Sequence, residues 1–421
     1  MPVSSNVRPL IHMSLHTARR NPIEQKGKRV FIDSLERHKD LSDLVGRIEH
    51  LFRNPETREV VLYFRERFRT FPNILAPLSS AISAIHRSGR KVRILEDFPE
   101  LLETNVFEPV PFDPAIHDNP CGKVWSYSTS QQAQELHNAT IEYLSINLVW
   151  EAGTLHSLEW SLHEILDNVF QHARTKSGYF MFQVQENQRR VSYCVADQGQ
   201  GILNSFSNSV HRPFGAPDAI SLAVKKGVTR DPNVGMGNGL WGAIEIVARN
   251  VGQLTISSSG AALFFDRIAR TVKTVDRVSV LSAESPGTLV DVQIDASKSV
   301  LLSDLFGALE MPVNLRIESL ENEGGAPVFC IQDFKYGTGT RESGSFAFAY
   351  ARNILNETDQ HLVIDFSGTG IVSSSFADEF IAKLFCSLTE LQFNGRVRLH
   401  GMNATNEIII RYAISERRAK A

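Results

Sequence analysis

The chain has 421 residues, with 44 Lys and Arg against 47 Asp and Glu and a formal net charge of −3 at pH 7. This length exceeds one ordinary hydrophobic core and predicts about two to four domains. The near-neutral charge gives no general attraction to polyanions, so we expect no nucleic-acid partner, although residues 1–30 are locally basic.

Cysteine usage and hydropathy restrict the compartment. The four cysteines are scattered and form no CxxC pair, which argues against a disulfide framework or a zinc site. Cys194 and Cys386 stand in apolar contexts typical of buried thiols. No signal-peptide pattern and no apolar run long enough for a bilayer are present, so we expect a cytoplasmic protein without a membrane partner.

The first block, residues 1–120, alternates strands and a helix. Strands are predicted at 60–64 and 91–95, and an amphipathic helix at 74–86 lies between them. Four prolines between 108 and 128 predict a linker to the next block.

The second block, residues 125–297, combines helices with many strands. Apolar residues recur at helical spacing over 155–172, and a second helix is predicted at 240–251 after a polar, Gly-rich loop at 203–234. One helix layer against a mostly antiparallel sheet is an α+β sandwich. Its strands are predicted at 179–184, 191–195, 254–257, 262–265, 278–281 and 289–294.

The third block, residues 305–421, predicts a smaller α/β domain. Its helices are expected at 345–356 and 375–391. Its last strand, helix and Gly-Arg turn repeat the order of the first block, which is a coarse internal similarity. The predicted strands lie at 328–331, 362–366 and 396–400.

The helix predicted at 155–172 carries one polar face. Glu164, Asn168 and His172 follow one another at a spacing of four residues, so they share that face. Asn168 offers a neutral oxygen suited to Mg²⁺, and Glu164 could orient and deprotonate a water aimed at a γ-phosphate. His172 could contact phosphate oxygens. The alternative is the ordinary polar face of a surface helix.

A second polar element follows the strand at 191–195. Asp197 could accept a hydrogen bond from an adenine amino group, while Gly199 and Gly201 let the backbone approach a flat base. The alternative is a common Asp-Gln-Gly turn after a strand.

A third, Gly-rich element leads into the helix at 240–251. Gly235, Gly237 and Gly239 precede Leu240, and backbone N–H groups at a helix N-terminus form an anion site suited to a triphosphate. Residues 237–242 also match the G-x-G-x-x-G dinucleotide pattern, but loop rather than strand precedes them, which excludes that interpretation. No P-loop motif is present.

In this order, the three elements resemble the GHKL ATPase domain of gyrase-type topoisomerases, heat-shock chaperones, histidine kinases and mismatch-repair ATPases. The resemblance implies a central Bergerat-type α/β sandwich at 125–297 that binds ATP with Mg²⁺ under a mobile lid at 203–234. It also implies that Thr288 joins the adenine-side hydrogen bonds. The matching segments are 164–168 (N box), 197–202 and 235–240 (glycine boxes) and 286–288 (Gly-Thr).

The third block resembles the STAS-like domains that accompany such ATPases. In related antagonist domains a serine at the start of a helix is phosphorylated by a GHKL kinase, and Ser374 or Ser375 occupies that place. Ser373 stands where an acidic residue is usual, and the alternative is that residues 373–375 cap the helix. The first block resembles a more degenerate STAS-like domain. The match rests on residues 339–341, 364–368 and 373–379.

These resemblances imply an ATP-binding regulatory protein with two small STAS-like domains flanking the ATPase. We expect a slow, Mg²⁺-dependent ATPase with Glu164 as the catalytic carboxylate, working as a conformational switch. A protein partner or self-association through the STAS-like domains is expected. The alternatives are a serine kinase acting on a STAS serine and an ATP-binding scaffold without turnover.

Overall fold

In the part of the chain that it describes, the computed structural model of the protein contains three β-sheets and many helices, an α+β fold as expected. Each sheet lies mainly in one of the three blocks of the sequence. The structure describes residues 22–95, 98–171, 173–175, 177–207, 209–228, 237–266, 271–276, 287–307 and 311–420.

The N-terminal sheet has four strands in chain order, β1 to β4. The first two strands form an antiparallel hairpin, and the last three are parallel because a helix returns the chain after each one. Burial alternates along the third strand, so one face of this sheet enters a core. The elements are β1 (Ile23–Lys26), β2 (Arg29–Ile32), α1 (His38–Phe52), β3 (Glu59–Phe64), α2 (Pro72–Arg87), β4 (Lys91–Leu95) and α3 (Pro99–Leu102).

The central sheet has eight strands in the order β11-β10-β9-β12-β8-β7-β6-β5, antiparallel except for β5 and β6. Its strands are β5 (Val110–Pro111), β6 (Trp125–Tyr127), β7 (Gly178–Gln185), β8 (Arg190–Asp197), β9 (Gln253–Ser258), β10 (Ala261–Asp266), β11 (Thr271–Asp276) and β12 (Thr288–Asp295). Its helices are α4 (Ser130–Asn147), α5 (Thr154–Gln171), α6 (Gly201–Ser205), α7 (Ala216–Ala223), α8 (Gly239–Asn250) and α9 (Ser303–Phe306), with a 3₁₀ turn at Glu186–Gln188.

Most predicted elements of this block are confirmed, but four segments differ, and the longest of them is α4, a helix that was not predicted. The stretch at 108–128 is not a free linker, because β5 and β6 extend the central sheet. The loop at 203–234 includes α7, whose buried Ile220 packs into the core. A strand at 271–276 was missed, and the one predicted at 278–281 lies outside the described residues.

Helix α2 of the N-terminal unit covers the back face of the central sheet. It packs on β7, β8 and β12, so its apolar side chains share one core with Met181, Cys194 and Leu289. Within this contact, Asn73 Nδ2 donates to Asp291 Oδ2 at 3.2 Å. Burial raises the pKa of Asp291 to about 7, because a charged carboxylate is poorly solvated there.

Asp291→Asn is expected to make protein stability less dependent on pH. Between about pH 4 and 7 the folded protein retains a proton on Asp291 that the unfolded chain releases, so unfolding becomes easier as pH rises. The stability advantage of the variant should therefore grow by roughly 1 kcal/mol per pH unit in this window and then level off. Urea denaturation at several pH values measures it. Exposed Asp359→Asn is the control, and parallel curves for Asp291→Asn and wild type would contradict the assignment.

The C-terminal unit has a parallel sheet in the order β13-β14-β15. The helix predicted at 375–391 ends earlier, and Cys386 at its end is exposed, so its predicted burial was wrong; Cys194 is buried as expected. The elements are α10 (Leu315–Glu318), β13 (Val328–Cys330), α11 (Arg341–Glu357), β14 (Leu362–Asp365), α12 (Ser374–Ala377), a π-helical segment (Asp378–Ala382), α13 (Lys383–Cys386), α14 (Glu390–Arg396), β15 (Val397–His400) and α15 (Ala404–Lys420).

Helix α11 docks the C-terminal unit on α4 through a buried asparagine. The Asn353 side chain is fully buried and accepts a hydrogen bond from the amide of Trp150 at 2.8 Å. It also donates to the carbonyls of Ser145 and Leu148, at 2.7 Å each. All three partners are backbone groups where α4 ends, so the contact depends on one side-chain geometry.

Candidate functional site

One pocket opens between the helix layer and the ends of β8 and β12. It encloses about 820 Å³, including the open solvent at its mouth. Helices α5, α6 and α8 form its walls, and most of its surface is apolar with a few polar groups. The lining residues are Ile165, Asn168, Val169, Ala173, Val195, Asp197, Gly201, Ile202, Ser205, Phe206, Ala223, Val228, Gly237, Gly239, Leu240, Thr288 and Val290.

Asp197 is the buried polar group at the base of this pocket. It ends β8 directly opposite Thr288, the first residue of β12, so strand register brings the two together. The amide of Gly199 donates to Asp197 Oδ1 at 2.6 Å, and the amide and hydroxyl of Thr288 also bond the carboxylate. Burial outweighs these bonds and raises the pKa of Asp197 to about 7.

Glu164 and Asn168 meet the start of α8. A Cβ on Gly239 would lie 2.8 Å from Glu164 Oε2 and 3.7 Å from Asn168 Nδ2, so the backbone of α8 comes close to both side chains here. Burial raises the pKa of Glu164, while the neighbouring His163 opposes that shift. The carboxyl therefore lies beside the N-terminus of α8, where backbone amides favour negative charge.

Ser258 supports the pocket and was missed in the sequence. Its hydroxyl accepts a hydrogen bond from the amide of Ile202 at 2.9 Å and donates one to the carbonyl of Gly287 at 2.6 Å. It thereby links the start of α6 to the residue before Thr288. Gly201, at the start of α6, has a φ of +74°, a conformation that favours glycine. The run of three serines at 257–259 was the only sequence signal.

The structure brings most of the predicted site residues together. Gly199 lies just behind Asp197, where a Cβ would come within 2.2 Å of the Ala173 carbonyl. Glu164 flanks the pocket beside Gly239 without lining it. His172 and Gly235 lie outside the described residues. The predicted residues that line the pocket are Asn168, Asp197, Gly201, Gly237, Gly239, Leu240 and Thr288.

The serines near position 374 divide their roles. Ser373 is the N-cap of α12, because its Oγ accepts the amide of Phe376 at 3.0 Å. Ser374 and Ser375 are exposed on the first turn of that helix. Capping therefore needs Ser373 alone and leaves both neighbouring hydroxyls accessible.

Two further findings concern metal and membrane. Within the described ranges, no group of three or more His, Cys, Asp or Glu side chains is arranged to hold a metal ion. Among the same residues, no helix combines the length and apolar character needed to cross a bilayer.

Residues 351–407 match the family model described as a STAS-like domain of unknown function (DUF4325). The match includes the last two turns of α11, both strands β14 and β15, and the first turn of α15. The C-terminal part of the chain is therefore a STAS-like domain. Neither the curated proteins nor the solved structures contain a match to this chain.

Proposed function

We propose that the pocket binds ATP with Mg²⁺, and that slow hydrolysis makes the protein a nucleotide-driven switch acting through its STAS-like domains. A GHKL-type site in the central unit is part of this proposal. One observation carries it: seven residues predicted from four separate sequence segments line one mostly apolar pocket with a few polar groups.

The chain's own groups fit the parts of a nucleotide. The ionised Asp197 can accept a hydrogen bond from an exocyclic amino group, while Ile165, Ile202 and Val290 offer apolar surface to a flat base. The N-terminus of α8 directs backbone amides towards anionic groups, next to Gly237 and Gly239. Adenine and phosphates would thus lie at opposite ends of the pocket.

The proposal assigns Glu164 and Asn168 to the chemistry at the phosphate end. Asn168 would offer its side-chain oxygen to Mg²⁺, which would neutralise phosphate charge when bound. With few carboxylates nearby, that ion would depend on the phosphates themselves for its remaining ligands. Glu164, whose pKa is raised by burial, would orient a water and accept its proton.

Aromatic contacts link the proposed lid to the C-terminal connection. Lys226, just after α7, places its Nζ 4.8 Å from the ring centroid of Trp241 on α8. Trp241 in turn contacts Phe306 at 5.6 Å between centroids, and Trp160 on α5 contacts Phe306 at 5.0 Å. Phe306 ends α9, shortly before the C-terminal unit. Movement of the lid would therefore disturb the packing from which this unit departs.

Glu164→Gln is expected to reduce ATP hydrolysis at least about a hundredfold while changing ATP affinity less than about threefold. Glutamine keeps the shape and hydrogen bonding of the side chain but cannot accept a proton. Phosphate release and equilibrium binding of labelled ATP measure the two effects. Glu135→Gln, on α4 and outside the pocket lining, is the control. Hydrolysis at the wild-type rate in Glu164→Gln would exclude this role.

γ-labelled ATP separates the proposal from its two alternatives. Label found on the protein or a partner, and lost in Ser374→Ala/Ser375→Ala, would favour the serine kinase, which the exposure of both hydroxyls permits. Tight binding with neither phosphate release nor transfer would indicate a scaffold. Absence of Mg-ATP binding would reject all three functions.

A further inference from the structure

The N-terminal sheet has one face outside the hydrophobic core. Alternation puts Val30, Leu62 and Val92 on the inner, buried face. The neighbouring residues Phe31 and Tyr63 point to the opposite, outer face, where both are only partly buried. Four basic side chains on that face are exposed, namely Lys26, Arg29, Lys91 and Arg93. Leu95 is exposed beside them.

Two stacked aromatic rings lie between two guanidinium groups on this outer face. Phe31 and Tyr63 are cross-strand neighbours whose ring centroids lie 4.9 Å apart at an interplanar angle of 22°. The Arg29 guanidinium lies 5.8 Å from the Tyr63 centroid, and Arg65 lies 5.4 Å from that of Phe31. Arg65 is held by Asp33 and Glu24, so it supports the stack. Arg29 has no carboxylate partner among the described residues.

Basic residues also lie along the end of the sheet at which its parallel strands begin, here called the basic edge. The parallel strands β2, β3 and β4 all begin at this edge, and each start carries at least one basic residue. Among the described residues, Glu24 and Glu59 oppose them on the outer face, through ion pairs with Lys26 at 3.2 Å and Arg93 at 3.7 Å, and Asp33 pairs with Arg65. The basic residues of the face and edge are Lys26, Lys28, Arg29, Arg58, Arg90, Lys91 and Arg93.

We propose that this outer face and its basic edge bind single-stranded nucleic acid. Phosphates would lie along the basic edge, and unpaired bases would stack on the exposed guanidinium of Arg29 and on the Phe31–Tyr63 pair. Three strand spacings of about 4.8 Å give a face about 14 Å wide, enough for a few nucleotides. A duplex fits poorly, because its bases are already stacked and a flat sheet face does not enter a groove.

The overall charge of the chain conceals this surface. A net charge of −3 averages the basic edge with acidic residues elsewhere, which is why nucleic acid was not expected from composition. Aromatic side chains distinguish a nucleic-acid surface from a purely electrostatic contact with an acidic protein, since bases supply flat partners for stacking. The inference is independent of ATP binding by the central unit.

Fluorescence anisotropy of the full chain, without nucleotide, tests the proposal. The probes are fluorescein-labelled oligo(U) and oligo(dT) of about twelve nucleotides, and a duplex of equal length, at about 50 to 200 mM salt. We expect at least one single strand to bind more tightly than the duplex. The logarithm of affinity should fall with the logarithm of salt concentration by about 0.7 per phosphate contact. Comparing the two single strands separates RNA from DNA.

Two variants test the two parts of the surface. Arg29→Glu/Lys91→Glu should weaken single-strand binding at least about tenfold, whereas Lys39→Glu/Lys298→Glu, an equal charge change elsewhere, should stay within about twofold. Tyr63→Leu should weaken it at least about fivefold without changing the salt dependence. The proposal would be overturned if neither single strand bound, or if the duplex bound as tightly as the single strands. An equal loss of binding in the control pair would also overturn it. Equal displacement by poly-glutamate would instead identify an acidic protein partner.

Discussion

Asp197→Asn is expected to remove most ATP binding without weakening the fold. The wild-type carboxylate would accept a hydrogen bond from the adenine amino group, and hydrogen bonds to charged groups contribute about 1.5–3 kcal/mol, or roughly 10- to 150-fold in affinity. Asparagine can still accept a hydrogen bond from the amide of Gly199. It also avoids the free-energy cost of burying a charged carboxylate, the cost that raises the pKa of Asp197 to about 7. Calorimetric titration with ATP and urea denaturation measure both effects.

The pH dependence of binding supplies an independent check. ATP affinity of the wild-type protein should increase from about pH 6 to 8, because the ionised Asp197 is the form that accepts the hydrogen bond, and the variant should lose this dependence. Asp291→Asn is a matched control: Asp291 is equally buried, with a pKa also raised to about 7, but it lies on the opposite face of the sheet. If both variants bound ATP like wild type, the adenine assignment would be wrong.

Asn353→Ala should loosen the contact between the STAS-like domain and α4. The change leaves the Trp150 amide and the carbonyls of Ser145 and Leu148 without their partner in a buried interface. We expect a loss of about 3–5 kcal/mol in the free energy of unfolding, the range for breaking a buried hydrogen-bond network. Urea denaturation measures it, and faster hydrogen exchange where α4 ends would place the change at the interface.

Asn394→Ala is the matched control, because Asn394 is exposed in the same domain. It should change stability by less than about 0.5 kcal/mol. If Asn353→Ala resembled this control, the docked arrangement would not depend on the buried amide. If the Asn353 variant also altered ATP turnover, the interface would be part of the proposed switch.

Local patterns were sufficient for most elements of the fold. The period of apolar residues in α5 and the short apolar runs of β7 and β8 determine those elements with little help from the rest of the chain. β5 and β6 were missed, because two or three residues among prolines have no periodicity and depend on pairing with β7. The packing of α2 on the central sheet could not be predicted from the sequence either, since an apolar helix face does not specify its partner.

The candidate site was predictable where each residue carried a distinctive local motif. Asp197 and the glycines around it could be identified in this way, and strand register then brings Thr288 opposite. Ser258 has no such motif, and its role arises only because β9 neighbours β12. The outer face of the N-terminal sheet was missed for the same reason: Phe31 and Tyr63 are 32 positions apart in the chain and meet only through strand pairing.

The core shared by α2 and the back of the central sheet has a consequence during synthesis. Because Tyr179, Cys194 and Leu289 complete the core of the N-terminal unit, that unit cannot bury its apolar surface until about two-thirds of the chain has left the ribosome. Until then the apolar face of α2 is exposed, where it can bind chaperones or cause aggregation. Residues 1–120 expressed alone should accordingly be insoluble. A fragment that ends after β12 should stay soluble, because it retains every described residue of that core.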